Sequence, residues 1–154
     1  VSFEIPFSKT MQISAFAKDN KCTLFMTLLT VLEILLYKYS NQEDFCVGTP
    51  VANRNSPEIE NLLGFFVNTL TLKSSINDEI TITELLQKVK STTLEAYDNQ
   101  DLPFEKVVEI LDSKRDLSRS PLFQVALVLQ DTKIQNIQLA GITHEYMKVQ
   151  NATT

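Results

Sequence analysis

Between Thr23 and Tyr39 the chain reads T-L-F-M-T-L-L-T-V-L-E-I-L-L-Y-K-Y, apolar on nearly every side of a helix. A helix with one apolar stripe can lie on a surface, but one that is apolar all round has to be covered by other elements. This segment is therefore read as the central helix of a packed core, which the rest of the chain must wrap. A membrane span competes for the same residues. The run falls short of the roughly 20 apolar residues a bilayer requires and carries Glu33 at its middle, which favours the core reading. With 154 residues, 44% of them apolar, there is enough material for one globular domain.

Around that helix the periodicity alternates between strand and helix. V-S-F-E-I predicts a half-buried strand over Val1–Pro6, and Ser8 is the expected cap of a helix to about Asp19. Phe45–Gly48 reads as an interior strand, followed by the polar loop T-P-V-A-N-R-N. Ser56 and Pro57 supply an N-cap and a first helical residue, and Gly64 is expected to end that turn. Phe65 to Lys73 predicts a strand with Phe66, Asn68, Leu70 and Leu72 on one face. Thr81 and Glu84 form a capping box for a helix to about Tyr97, with Ile82, Leu85, Leu86, Val89, Thr93 and Ala96 in one stripe. Asp101 and Pro103 open another helix, bearing Phe104, Val107, Val108 and Leu111 and ending near Ser113. Strands are expected over Phe123–Gln130, with Phe123, Val125, Leu127 and Leu129 on one face, and over Ile142–Val149. Strands interleaved with helices imply an α/β architecture, a mixed sheet with helices packed on it.

Charge and rare residues exclude several functions. A formal charge of -5 disfavours a phosphate backbone, so no nucleic-acid partner is expected. Cys22 and Cys46 have no metal or disulfide spacing and read as buried thiols. His144 is the only histidine, which rules out chemistry needing two imidazoles within the chain. No secretory signal is seen, the sequon at Asn151 carries little weight without one, and the expected compartment is the cytoplasm.

Three segments go beyond periodicity. They are Val47-Gly48-Thr49-Pro50-Val51-Ala52-Asn53-Arg54 leading to Gly64-Phe65-Phe66-Val67-Asn68-Thr69; then Asn99-Gln100-Asp101-Leu102-Pro103-Phe104-Glu105; then Arg115-Asp116-Leu117-Ser118-Arg119-Ser120-Pro121-Leu122. In kind, order and separation they resemble the condensation domains of nonribosomal peptide synthetases, over essentially the whole chain. The resemblance is to the second half of that domain, and Ser120 stands where relatives often have Asn. It implies a chloramphenicol acetyltransferase-like lobe, a two-layer sandwich that is here incomplete. The family's H-H-x-x-x-D-G catalytic motif belongs to the other lobe and does not occur in this chain. The expectation is therefore a partial condensation domain over residues 1–154, its C-terminal lobe without the final strands and helix, and marginal or partner-dependent in stability.

What the resemblance implies for single residues stands beside a plainer reading of each. Asn68 and Thr69 are implied to shape an acyl tunnel between lobes, whereas a buried Asn ordinarily bonds to backbone. Gly64, Phe65, Phe66 and Val67 read mainly as strand structure. Asn99, Gln100, Asp101, Pro103, Phe104 and Glu105 read mainly as a helix start, with carboxylates at its positive end. Arg115, Asp116, Ser118, Arg119, Pro121 and Leu122 read as bracing around the next strand, in preference to contact with a phosphopantetheine arm. No catalytic or metal residue is assigned. His144 as a catalyst, or Cys46 as a nucleophile, would need an activating partner that spacing does not reveal.

The complete enzyme implied would form an amide bond between an acyl or peptidyl thioester and an aminoacyl thioester, each held on a carrier protein. This chain is expected to supply one tunnel wall and to be inactive alone. The implied partners are an N-terminal lobe, peptidyl carrier proteins bearing 4'-phosphopantetheine and a neighbouring adenylation domain, with no cofactor bound by the chain and no membrane contact. The alternatives are a non-catalytic module that binds a carrier protein or a separate N-terminal lobe, and a hydrolase using Cys46.

Overall fold

A computed structural model describes residues 3–111, 119–130 and 141. The central apolar run forms helix α2 (Leu24–Ser40), and its start is set by local chemistry. Thr23 has extended backbone, and its hydroxyl accepts from the Met26 amide at 3.2 Å, the work of an N-cap. At the other end Asn41 takes a left-handed conformation, φ 55°, and its amide bonds back to the Tyr37 carbonyl. Helix α1 (Phe7–Asp19) precedes it.

Strands β1 (Asp44–Val51) and β2 (Asn68–Ser75) pair antiparallel along their full length, with Val47 opposite Leu72 and Val51 opposite Asn68. The short strand β3 (Val125–Ala126) pairs parallel to β1 at Val47 and Gly48, giving the order β2-β1-β3 and a mixed sheet. Between β1 and β2 lies the short helix α3 (Pro57–Glu60), capped by Ser56. Helix α4 (Ile82–Asp98) follows β2 and starts at the Thr81–Glu84 capping box; helix α5 (Phe104–Leu111) comes next.

One face of the sheet meets α2 and α4. Val47 and Leu72 from the strands, Met26 and Leu29 from α2, and Leu85, Leu86 and Val89 from α4 form a single apolar cluster. Removing such side chains from water is the main stabilising term, of order 1.5–3 kcal/mol for each large one. Glu33 is buried in the same layer at 2% exposure, and the Ser74 hydroxyl donates to its Oε2 at 2.8 Å. No single helix among the described residues is long and apolar enough to cross a membrane; α1 and α2 reach that composition only as a pair bent by 103°.

Several expectations change. Residues 3–6 form no strand: alternation alone does not make one without a neighbouring strand to pair with, and α1 begins at Phe7, so Ser8 lies inside the helix and Pro6 precedes it. Strand β1 runs on through Thr49, Pro50 and Val51, beyond the expected loop boundary at Gly48. Pro50 is tolerated because Gly48 O faces β3, so the residue two further on faces the same side, beyond the reach of that short strand. Strand β2 begins only at Asn68, leaving Phe65, Phe66 and Val67 in the connecting segment. Asn61 caps α3, not Gly64. Ile82 is 61% exposed and Leu111 66%, so neither belongs to its buried stripe, and Leu129 is exposed beyond the short β3. The end of α5 near Ser113, the strand at 142–149 and His144 lie outside the described residues.

Candidate functional site

The sequence motifs converge on one end of the sheet. Asn68, the first residue of β2, reaches the turn that joins α4 to α5. Its Nδ2 donates to the carbonyls of Gln100 at 2.7 Å and Leu102 at 2.8 Å, and its Oδ1 accepts from the Phe104 amide at 3.1 Å. The Phe104 amide is one of the donors that a helix N-terminus leaves without an intrahelical partner, so Asn68 caps α5 from another strand. The second motif is tied to its own helix as well: Asn99 Nδ2 donates to Glu95 O at 2.8 Å and Gln100 Nε2 to Tyr97 O at 2.9 Å.

The loop after β1 closes the same region. Asn53 is left-handed, φ 49°, and Asn55 Nδ2 donates to Asp101 Oδ1 at 2.8 Å. Arg54 Nη1 donates to the carbonyls of Ile59, Glu60 and Leu62, and the guanidinium lies 4.3 Å from the Phe66 ring centroid. One planar cation thus gathers three carbonyls at and just beyond the end of α3, of which Ile59 O also accepts from the Leu62 amide. Phe104 in turn meets the Phe123 ring at 5.6 Å between centroids. Phe123 covers Gly48 so closely that a Cβ there would fall within the ring's van der Waals envelope. The glycine permits that approach.

These contacts border a recess of about 310 Å³ whose wall includes Asn53, Phe65, Asn68, Thr69, Asp101, Phe104 and Glu105. Asn68 faces the helix layer together with Leu70 and Leu72, as the alternation predicts, while Thr69 and Thr71 lie on the opposite face. Thr71 Oγ1 is buried and has no hydrogen-bond partner among the described residues. Sequence reasoning does not single out the bracing by Arg54 and Asn55; the one signal for it is the place of Arg54 at the end of the motif V-A-N-R, which Asn55 directly follows.

The third motif is described only in part. Arg115, Asp116 and Ser118 lie outside the described residues, and Arg119 has an interaction of its own. Pro121 and Leu122 form the turn into β3, where Leu122 is left-handed at φ 64° and the Phe123 amide donates to Pro121 O at 2.8 Å. Pro103 O accepts from the Lys106 amide at 2.9 Å, as the residue before a helix should. Gly64 lies against the Phe66 ring. Cys46 is half-buried, and burial raises its thiol above the ordinary value, opposed by the nearby Lys73 and assisted by Asp44. A thiol held protonated is a poor nucleophile. No three His, Cys, Asp or Glu side chains converge as metal ligands among the described residues.

A mixed sheet with helices packed on it is the architecture of a chloramphenicol acetyltransferase-like lobe, here in part. The condensation domain family model matches residues 1–153, and the chain belongs to that family. It is 50% identical over 131 residues to one of the linear gramicidin synthase proteins of Brevibacillus parabrevis, covering 85% of this chain and 2% of that protein. With bacitracin synthase 3 of Bacillus licheniformis the identity is 41% over 145 residues, covering 94% and 2%. The chain thus spans about 2% of the length of these relatives. Among solved structures, holo-AB3403, a four-domain nonribosomal peptide synthetase bound to AMP and glycine, superposes with a TM-score of 0.81 at 33% identity, over 83% of this chain and 10% of that one. The condensation domain of the Monacolin K polyketide synthase MokA gives 0.74 at 24% identity, over 80% and 29%, a likeness of fold.

Proposed function

We propose that this chain is the C-terminal lobe of a condensation domain and supplies one wall of the tunnel in which an acyl or peptidyl thioester meets an aminoacyl thioester. The observation that carries the reading is the clasp between Asn68 and the 100–104 turn, which joins two family motifs around one recess. In this reading Asn68 holds the wall and Thr69, on the other face, borders the acyl path. The chain contains no H-H-x-x-x-D-G run, so the catalytic histidine comes from an N-terminal lobe and the chain is inactive alone. The substrates arrive on 4'-phosphopantetheine arms of carrier proteins that flank it with an adenylation domain, and the cofactor stays with those carriers.

The test combines the chain with a separately expressed N-terminal lobe bearing the histidine motif and two loaded carrier proteins, with dipeptidyl thioester detected by mass. Product is expected only when both lobes are present. Product from this chain alone refutes the reading. Binding to the lobe or a carrier without product would support the non-catalytic module, for which the missing histidine motif is the motivating observation.

A further inference from the structure

Among the described residues, Glu33 is the one buried acidic or basic side chain. Its Oε2 accepts from Ser74, whereas Oε1 has no hydrogen-bond partner among the described residues. Glu33 forms part of the wall of a recess of about 450 Å³ between α4 and β2, within the size range of small-molecule sites. Leu85 and Val89 give that recess an apolar side, and Thr92 and Glu95 add a hydroxyl and a second carboxyl.

The recess wall carries two carboxyls and two lysines, and each lysine has an acid of its own nearby. Lys73, on β2, is held at 3.5 Å by Asp44 of β1. Lys88, on α4, lies within electrostatic reach of Glu84, whose carboxyl it helps hold below the usual range. Glu95 is engaged through Oε1 by the Ser91 hydroxyl at 2.9 Å, which leaves its other oxygen to the recess. Helix α1, also packed on α2, brings no residue to this recess. Two carboxyls without a third metal-binding group do not make a divalent-cation site. A primary ammonium has three donors and no acceptor, which matches Glu33, Glu95 and the Thr92 hydroxyl, and a short aliphatic stem matches Leu85 and Val89.

We propose that this recess binds a small aliphatic primary ammonium compound, with Glu33 as its counter-ion. The site is independent of the condensation role. Because burial raises the Glu33 carboxyl to about 7, binding below that pH must displace its proton, so affinity rises from pH 6 to pH 8.

The probe is n-butylammonium chloride, titrated calorimetrically into the chain at pH 6 and pH 8 in buffers of different ionisation enthalpy. Saturable binding is expected, with proton release at pH 6 only and affinity about tenfold or more lower in Glu33→Gln, the loss of one charged contact. Thr92→Phe, which fills the recess and leaves Glu33 in place, should abolish binding and guards against a Glu33→Gln variant that fails to fold. Equal binding of 1-butanol, unchanged binding by both variants, or binding that appears only in Lys88→Met overturns the proposal. The last result would mean that the chain's own lysine occupies the place.

Discussion

Replacing Asn68 with alanine removes three hydrogen bonds that join β2 to the α4–α5 turn. Each is worth about 1 kcal/mol net. The Leu102 carbonyl lies in exposed surroundings and regains water, so its share largely cancels, while the bonds to Gln100 and Phe104 are partly buried. Loss of the cap leaves the Phe104 amide without its acceptor, itself a cost of about 1 kcal/mol. The expected total is about 2 kcal/mol, read by urea denaturation of the chain. Asn68→Asp sharpens the test, since aspartate keeps the acceptor for Phe104 but sets a carboxylate against two carbonyl oxygens and donates to neither. It should cost at least as much as alanine, and the Phe104 amide should exchange faster with solvent in the alanine variant. A cost below about 0.5 kcal/mol for both variants would refute the account of Asn68 as an inter-element cap.

Stability should also depend on Glu33 protonation. Burial raises its carboxyl from 4.5 to about 7, so the folded state holds the proton more tightly; its contribution is full below pH 4.5 and is lost as pH rises through about 7. That difference corresponds to about 3 kcal/mol, and Glu33→Gln should flatten the stability profile between pH 4 and pH 8; parallel profiles would contradict it. Gly48→Ala pushes the Phe123 ring aside and should destabilise by about 1–3 kcal/mol, with faster exchange of the Leu127 amide, which donates to Gly48 O at 2.9 Å. Arg54→Lys replaces a planar guanidinium, stacked on Phe66 and donating from Nη1, by an ammonium on a different stem and should cost about 1 kcal/mol, with quicker proteolysis between residues 56 and 66; unchanged proteolysis would show the guanidinium to be idle. Cys46→Ala should leave any reconstituted acyl transfer unchanged, and the native thiol should alkylate slowly at pH 7.

Helices α3 and α4 are legible in the sequence because their signals are local, Ser56 and Thr81 each capping within three residues, and α4 buries most of its expected stripe; α2 is legible from its apolar run, but it is not covered on nearly every side as expected, since Val31, Leu35 and Tyr39 are exposed. Strand limits are less legible because pairing, not alternation, decides them. V-S-F-E-I alternates well yet forms no strand over residues 3–6, whereas Pro50 extends one because the neighbouring β3 stops short. At the candidate site the plain reading of Asn68, backbone bonding, is what the geometry displays, but its partners lie 32 to 36 residues away and no spacing rule names them. Asn55, bonded to Asp101 across 46 residues, is hidden in the sequence for the same reason. Glu33 is visible as an oddity in an apolar helix, while its environment depends on Ser74 and α4 folding over it.

The interlock at the end of the sheet bears on how such chains can be recombined. Arg54 meets carbonyls of 59–62, Asn55 meets Asp101, and Asn68 meets the 100–104 turn. A chimera joined anywhere between residues 54 and 104 would draw the partners of these bonds from different parents. Crossovers placed before Asn53 or after Glu105 inherit them as a set, so the block from 53 to 105 is the natural unit of exchange between relatives.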